Sequence, residues 1–246
     1  IYVVLICIGT ARICAQPSAF FRNLDVSDGL PSNYITAIHE DEQGYKWIGT
    51  EDGLTRFDGL NFKQFYHDPS DSSSIAFNHV GWDISGDSQG RIWVSLYGQG
   101  FSRYDSETDG FKSFTFANGT LPAKWADHVQ NFMFSKDGAA YINCVDGILK
   151  VNANDSVEVL SYVRDNQLLN GLGDLRVASL VDDRWIWCTT TKGLARFDIE
   201  EATWEYLNSN PQLKSGFSGS WLIHSGSFAN DKLWFTTFMK PKGAKV

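Results

Sequence analysis

Apolar and polar residues alternate along most of the chain in short runs, and the runs come in groups of four. The first group reads "YITAIHE" (34–40), "YKWIGTE" (45–51), "LTRFD" (54–58) and "NFKQFY" (61–66). Period-two alternation rich in aromatic and β-branched residues predicts strands. Between the runs, Asp41-Glu42-Gln43-Gly44 and Glu51-Asp52-Gly53 predict hairpin turns, where Gly supplies a positive φ without steric cost.

The group recurs. With Trp47 as an anchor, equivalent aromatics stand at Trp93, Tyr141, Trp187 and Trp234, at intervals of 46, 48, 46 and 47 residues. Gly53 returns as Gly100, Gly147 and Gly193, and three residues beyond each Gly stands Arg56, Arg103, Lys150 or Arg196. Gly44, Gly90 and Gly138 each precede their anchor by three residues, whereas Arg184 and Asp231 fill that slot in the last two units, which predicts a different turn there. Four antiparallel strands every 40–50 residues is the pattern of a β-propeller blade. The predicted fold is therefore all-β, with units over 31–66, 78–115, 127–161, 174–208 and 220–246. One blade cannot bury both of its faces, so blades stack, and the anchor aromatics are assigned to the core between neighbours. Residues 20–25 resemble a fourth strand that closes the last blade of a ring, which removes open edges. The fifth unit ends after its second strand, so a seven-bladed ring predicts a fragment of about 4.5 blades, poorly soluble by itself.

Residues 1–15, "IYVVLICIGTARICA", depart from this alternation. An apolar run ending in small residues at Ala15 matches the hydrophobic region and cleavage site of a truncated signal peptide. That places residues 16–246 outside the cytoplasm, where disulfides are permitted. Only Cys144 and Cys188 remain after cleavage; both fall in predicted strands and read as buried thiols.

The charge excludes one class of partner. With 29 acidic and 21 basic residues the net charge is −8, which disfavours nucleic acid. No motif for phosphate binding, nucleophilic catalysis, calcium or zinc appears, so no catalytic residue, metal or cofactor is expected. "HED" at 39–41 lies in a strand, and its slot holds Ser85, Met133 and Ser179 in later units, without constant chemistry. Asp41, Asp87, Asp137, Asp182 and Asp183 read as turn formers.

What varies between units is more telling. The residues ahead of the repeating Gly change from Glu51-Asp52 to Tyr97-Gly98-Gln99, Val145-Asp146 and Thr191-Lys192. The links between units change as well. In a propeller these two loop sets emerge at one end, and a rigid scaffold carrying variable loops is a general recognition surface. Glu51, Asp52, Tyr97, Gln99, Trp125, His128 and Lys192 are the candidate ligand-binding residues.

"GLPSNYITAIHEDEQGYKWIGTEDGLTRFDG" (29–59) resembles the two-component regulator propeller repeat, found in the periplasmic sensor halves of hybrid two-component histidine kinases of Bacteroidetes. The resemblance covers residues 20–246, with unit three degraded. It implies a periplasmic, non-catalytic sensing region of an inner-membrane protein, a homodimer when full-length, with an oligosaccharide ligand and control of polysaccharide utilisation. Two further readings stay open: a secreted propeller lyase, which "KLWFTTF" (232–238) resembles, and a secreted scaffold or adhesion propeller.

Overall fold

A computed structural model describes residues 22–115, 117–121, 129–162, 174–190, 193–206, 221–229 and 232–239, the last two segments by backbone alone. Four sheets of four antiparallel strands follow in chain order. The first comprises β1 (Ile35–Glu40), β2 (Lys46–Thr50), β3 (Gly53–Phe57) and β4 (Phe62–Phe65). The second comprises β5 (Val80–Gly86), β6 (Ile92–Leu96), β7 (Gly100–Asp105) and β8 (Gly110–Phe114). The third comprises β9 (Val129–Phe134), β10 (Ala140–Cys144), β11 (Gly147–Val151) and β12 (Val157–Tyr162). The fourth comprises β13 (Leu175–Val181), β14 (Trp185–Thr190), β15 (Gly193–Asp198) and β16 (Thr203–Tyr206). A fifth, two-stranded sheet pairs β17 (Trp221–Ala229) with β18 (Lys232–Met239), and Trp234 falls in β18. Strands β1, β5, β9, β13 and β17 adjoin in sequence, as the inner strands of successive propeller blades do.

The cores lie between blades. Trp47, Leu54 and Phe65 of blade one pack with Ile84, Ile92, Val94 and Tyr104 of blade two. Trp93, Phe101 and Phe114 pack with Phe132, Ile142 and Leu149 of blade three. Met133, Tyr141 and Ile148 pack with Leu175, Ile186 and Phe197 of blade four. Three anchors are buried to the degree this requires, Trp47 and Trp93 each 1 % exposed and Tyr141 4 %, whereas the fourth, Trp187, is half-buried and lies outside the core between blades three and four. Each anchor faces a cation across the hairpin, because Trp47 pairs in register with Arg56, Trp93 with Arg103, Tyr141 with Lys150 and Trp187 with Arg196. The cation lies 5.4–5.8 Å from the ring in all four. The repeating basic residue thus covers the open face of the anchor ring.

The turns follow the residues available. Gly44, Gly90 and Gly138 take φ of 85°, 73° and 84°. Where Arg184 occupies that slot, the left-handed conformation moves to Asp182 and Asp183, both at φ 53°. Gly53 is held by space as well as by its φ of 143°, since a Cβ there would lie 3.0 Å from Tyr66 and 3.2 Å from Pro31. Residues 22–25 form no strand and 26–29 form a turn, so the described part of the expected closing segment is irregular; residues 1–21 lie outside the described residues. Cys144 and Cys188 are free and fully buried, and burial pushes both thiols far above their ordinary pKa.

Candidate functional site

Each inner strand carries a β-bulge near the end where the blades are linked. In β13, residues 176–177 stand opposite Thr189 alone, and in β5, residues 81–83 stand opposite Ser95 alone. A bulge frees backbone groups, and the partner strand satisfies them. Ser95 Oγ accepts from Asp83 N and donates to Asp83 O, both at 2.9 Å. Thr189 Oγ1 does the same for Val177 at 3.0 and 3.1 Å. In blade three Asn143 takes this position and its amide reaches Arg176 O and Asn131. Inner-strand amides are then claimed across the blade boundary. Asp83 accepts from Phe132 N at 2.8 Å, and Asn131 accepts from Ala178 N at 3.0 Å while donating to Ala178 O at 2.8 Å. Burial pushes the Asp83 carboxyl up from an ordinary 3.8 to about 6, against the Phe132 and Ser85 hydrogen bonds that favour its charge.

This frame fixes the link end of blades one and two. A cleft of about 600 Å³ opens there, lined by Val26, Pro31, Ser32, Asn33, Glu51, Asp52 and His79. Glu51 and Asp52 form the β2–β3 loop, stabilised by Thr50 Oγ1, which donates to Gly53 O and accepts from Asp52 N. Glu51 N donates to Tyr34 O, and Ser32 Oγ donates to the Glu51 carboxylate at 3.3 Å. Asn33 accepts from Val26 N, which holds the N-terminal turn against the cleft. His79 closes the far wall. Its carbonyl accepts from Tyr97 N at 2.9 Å, and its ring stacks on Tyr97 with centroids 4.6 Å apart and planes 18° apart.

Of the candidate ligand residues, Glu51 and Asp52 therefore line the cleft, and Tyr97 backs its His79 wall. Gln99 is exposed in the same β6–β7 loop and does not line the cleft. Trp125, His128 and Lys192 lie outside the described residues. His79, with no motif around it, was not among the sequence candidates. The link before it, whose sequence differs from the other links, is held in place: His67 N donates to Asn78, and Phe111 N donates to Ser73 O. Ile75 within it is fully buried.

A second hollow, about 480 Å³, lies along the inner strands between His39, Ser85, Asn131, Met133 and Ser179 among others. Burial lowers the His39 pKa, with Asp41 opposing. His39 is thus a neutral strand residue beside the propeller axis. Among the described residues no three His, Cys, Asp or Glu are placed to hold one metal ion.

Comparison with known proteins agrees with this architecture. Residues 29–52 match the family described as two component regulator propeller. A histidine kinase of Formosa agariphila, "Histidine kinase P4", is 43 % identical over 63 residues, which are 25 % of this chain and 5 % of the kinase. The extracellular domain of a hybrid two component system of B. thetaiotaomicron, BT3049, superposes with a TM-score of 0.53 at 24 % identity. That match covers 88 % of this chain and 34 % of that extracellular domain. Virginiamycin B lyase of Staphylococcus aureus superposes with a TM-score of 0.59 at 13 % identity, covering 85 % of this chain and 64 % of the lyase. Both superpositions show the propeller fold. The chain spans less than two thirds of each of these proteins.

Proposed function

We propose that this chain, a two-component regulator propeller protein, is the extracytoplasmic sensing propeller of a histidine-kinase signalling protein, and that it binds an oligosaccharide at its link end. The observation that carries the reading is the cleft between blades one and two. Repeating residues build the scaffold around it, and the polar residues that line it are Ser32, Asn33, Glu51, Asp52 and His79, of which Glu51 falls in a loop whose content changes from unit to unit. A concave site with a few polar groups on a rigid frame suits a small polyhydroxylated ligand. Carboxylates and an amide at the wall accept and donate to sugar hydroxyls, and the stacked His79–Tyr97 rings supply an apolar surface. The match to the propeller repeat and the similarity to a histidine kinase support the signalling role. Binding acts by favouring one arrangement of a homodimeric receptor over another, and the response is expression of polysaccharide-utilisation genes.

Calorimetric titration with neutral hexasaccharides of glucose, xylose and mannose tests the reading. The protein is expected to bind at least one of them, and a Glu51→Gln, Asp52→Asn, Tyr97→Ala variant is expected to lose that binding. Unchanged affinity in the variant, or no binding by the wild type, contradicts it.

A further inference from the structure

Blade two departs from the repeat at two places, and both are at the link end. Its β6–β7 loop has three residues, 97–99, where the loops of blades one and three have two, 51–52 and 145–146. Its inner-strand bulge is also one residue wider. Three residues, 81–83, oppose Ser95, whereas two, 176–177, oppose Thr189 in blade four. The residue at the centre of that wider bulge is Trp82, which is 54 % exposed.

This exposure is built. A Cβ at position 81 would lie 2.6 Å from Ser95 Oγ, so Gly81 lets the extra residue fit against β6. On the other side, Asp83 is tied by both backbone groups to Ser95 and by its carboxylate to Phe132 N. Trp82 therefore stands on a strand fixed on both flanks, and the bulge turns its indole outward. An indole is among the most favourable groups to bury, and Trp47 and Trp93 are buried almost completely. Three residues upstream is His79, stacked on Tyr97 of the enlarged loop. The two insertions thus bring exposed aromatic rings to one end of one blade.

We propose that Trp82 and the His79–Tyr97 stack form the aromatic platform that carries a pyranose ring, and that the site selects neutral saccharides. This rests on the link-end oligosaccharide reading and names its ligand class. A pyranose presents an apolar C–H face to an indole and hydroxyls at its edge. The adjoining cleft offers those hydroxyls Ser32, Asn33, Glu51 and Asp52, with no Lys or Arg among the residues that line it. Sulfated or uronic chains meet like charge at Glu51 and Asp52 without a compensating cation.

The test uses the full chain and calorimetry with six probes: hexasaccharides of cellulose, laminarin, xylan and mannan as neutral ligands, and of heparin and alginate as charged ones. A neutral hexasaccharide is expected to bind, and neither charged one. Trp82→Ala is expected to weaken binding about tenfold and Trp82→Phe to restore most of it. Melting curves check that the variants stay folded, and Trp82→Gln is a second variant should the alanine protein melt early. Equal affinity of wild type and the Trp82 variants overturns the platform and leaves the saccharide reading standing. Binding of the charged probes alone overturns the selectivity. Failure of all six overturns both readings, whereas a change in oligomeric state of Trp82→Ala by light scattering, with saccharide affinity unchanged, overturns the platform alone.

Discussion

Trp93 donates its indole N–H to the carboxylate of Asp87 at 2.8 Å, and Trp47 does the same to Asp41 at the same distance. The other carboxylate oxygen accepts the turn amides of Gln89 and Arg91 in blade two, and of Gln43 and Tyr45 in blade one. One aspartate thus joins the hairpin turn to the inter-blade core. Where Tyr141 replaces the tryptophan, Ser135 replaces the aspartate and its hydroxyl accepts from Ala139 N. In blade four Val181 takes the position, and the turn runs through left-handed Asp182 and Asp183. Core residue and turn chemistry change together in blade three, whereas blade four keeps the tryptophan, Trp187, behind a different turn.

Removing that aspartate strands a buried donor. Asp87→Ala leaves the indole N–H of a 1 %-exposed tryptophan unpartnered and two turn amides without their acceptor. The expected cost is about 2–3 kcal/mol in urea unfolding. Asp87→Asn, which keeps an acceptor, is expected to lose less than half of that.

The blades are also fastened at their outer rim. Lys63 pairs with Asp109 of blade two, and Lys112 and Arg103 pair with Asp155 of blade three. Burial works to raise the Asp155 pKa, but hydrogen bonds from Arg103 and Lys112 outweigh it and hold the carboxyl below its ordinary value. The stability this gives is present above pH 3.8 and is lost as the pH falls further. Asp155→Ala strips Arg103, whose side chain is 12 % exposed, of its partner and is expected to cost about 2–4 kcal/mol. Lys112→Ala, half exposed, is expected to cost under about 1 kcal/mol.

Blade four has Ala202 where blades two and three have Asp109 and Asp155, in the same left-handed conformation at φ 51°. Glu158 of blade three stands where Lys63 and Lys112 stand, so this rim fastener has neither of its charges. Ala202→Gly relieves backbone strain and is expected to stabilise by about 0.5–1 kcal/mol in thermal melts. A fall in melting temperature would contradict the assignment of strain.

Asp83 makes stability depend on pH in the opposite sense to Asp155. The folded chain holds its proton up to about pH 6, whereas the unfolded chain releases it near 3.8. Stability therefore falls as pH rises across that window. Asp83→Asn keeps the acceptor for Phe132 N and adds a donor, as Asn131 has towards Ala178. The variant is expected to melt higher than wild type at pH 7.5, with the gain disappearing at pH 4. Equal loss of stability at both pH values would rule this out.

The scaffold was legible because an inter-blade core residue must recur at one depth in each blade, which fixes the spacing of Trp47, Trp93 and Tyr141. The basic residue opposite each anchor was visible for the same reason, and Arg56 does reach the next blade, donating to the Tyr104 hydroxyl. Asp58, two residues on, caps its own turn, accepting from Leu60 N and Asn61 N. Asp41 and Asp87 read as turn residues, since spacing does not reveal that one oxygen points back to an indole. Trp82 was not singled out because its strand was aligned on the anchor alone, and His79 offers no ligand spacing that sequence could recognise. The extra residue before Trp93 and the one after it are the sequence trace of the altered link end, and only the strand register shows that both fall there.

Hydroxyl-radical footprinting of the full chain, with and without a bound neutral hexasaccharide, tests most directly whether the repeat builds one end and recognition occupies the other. Protection is expected at 31–34, 51–52, 79–83 and 97–99, with no change at the opposite-end turns 41–45, 87–91 and 135–139. Protection confined to those opposite-end turns would contradict the account.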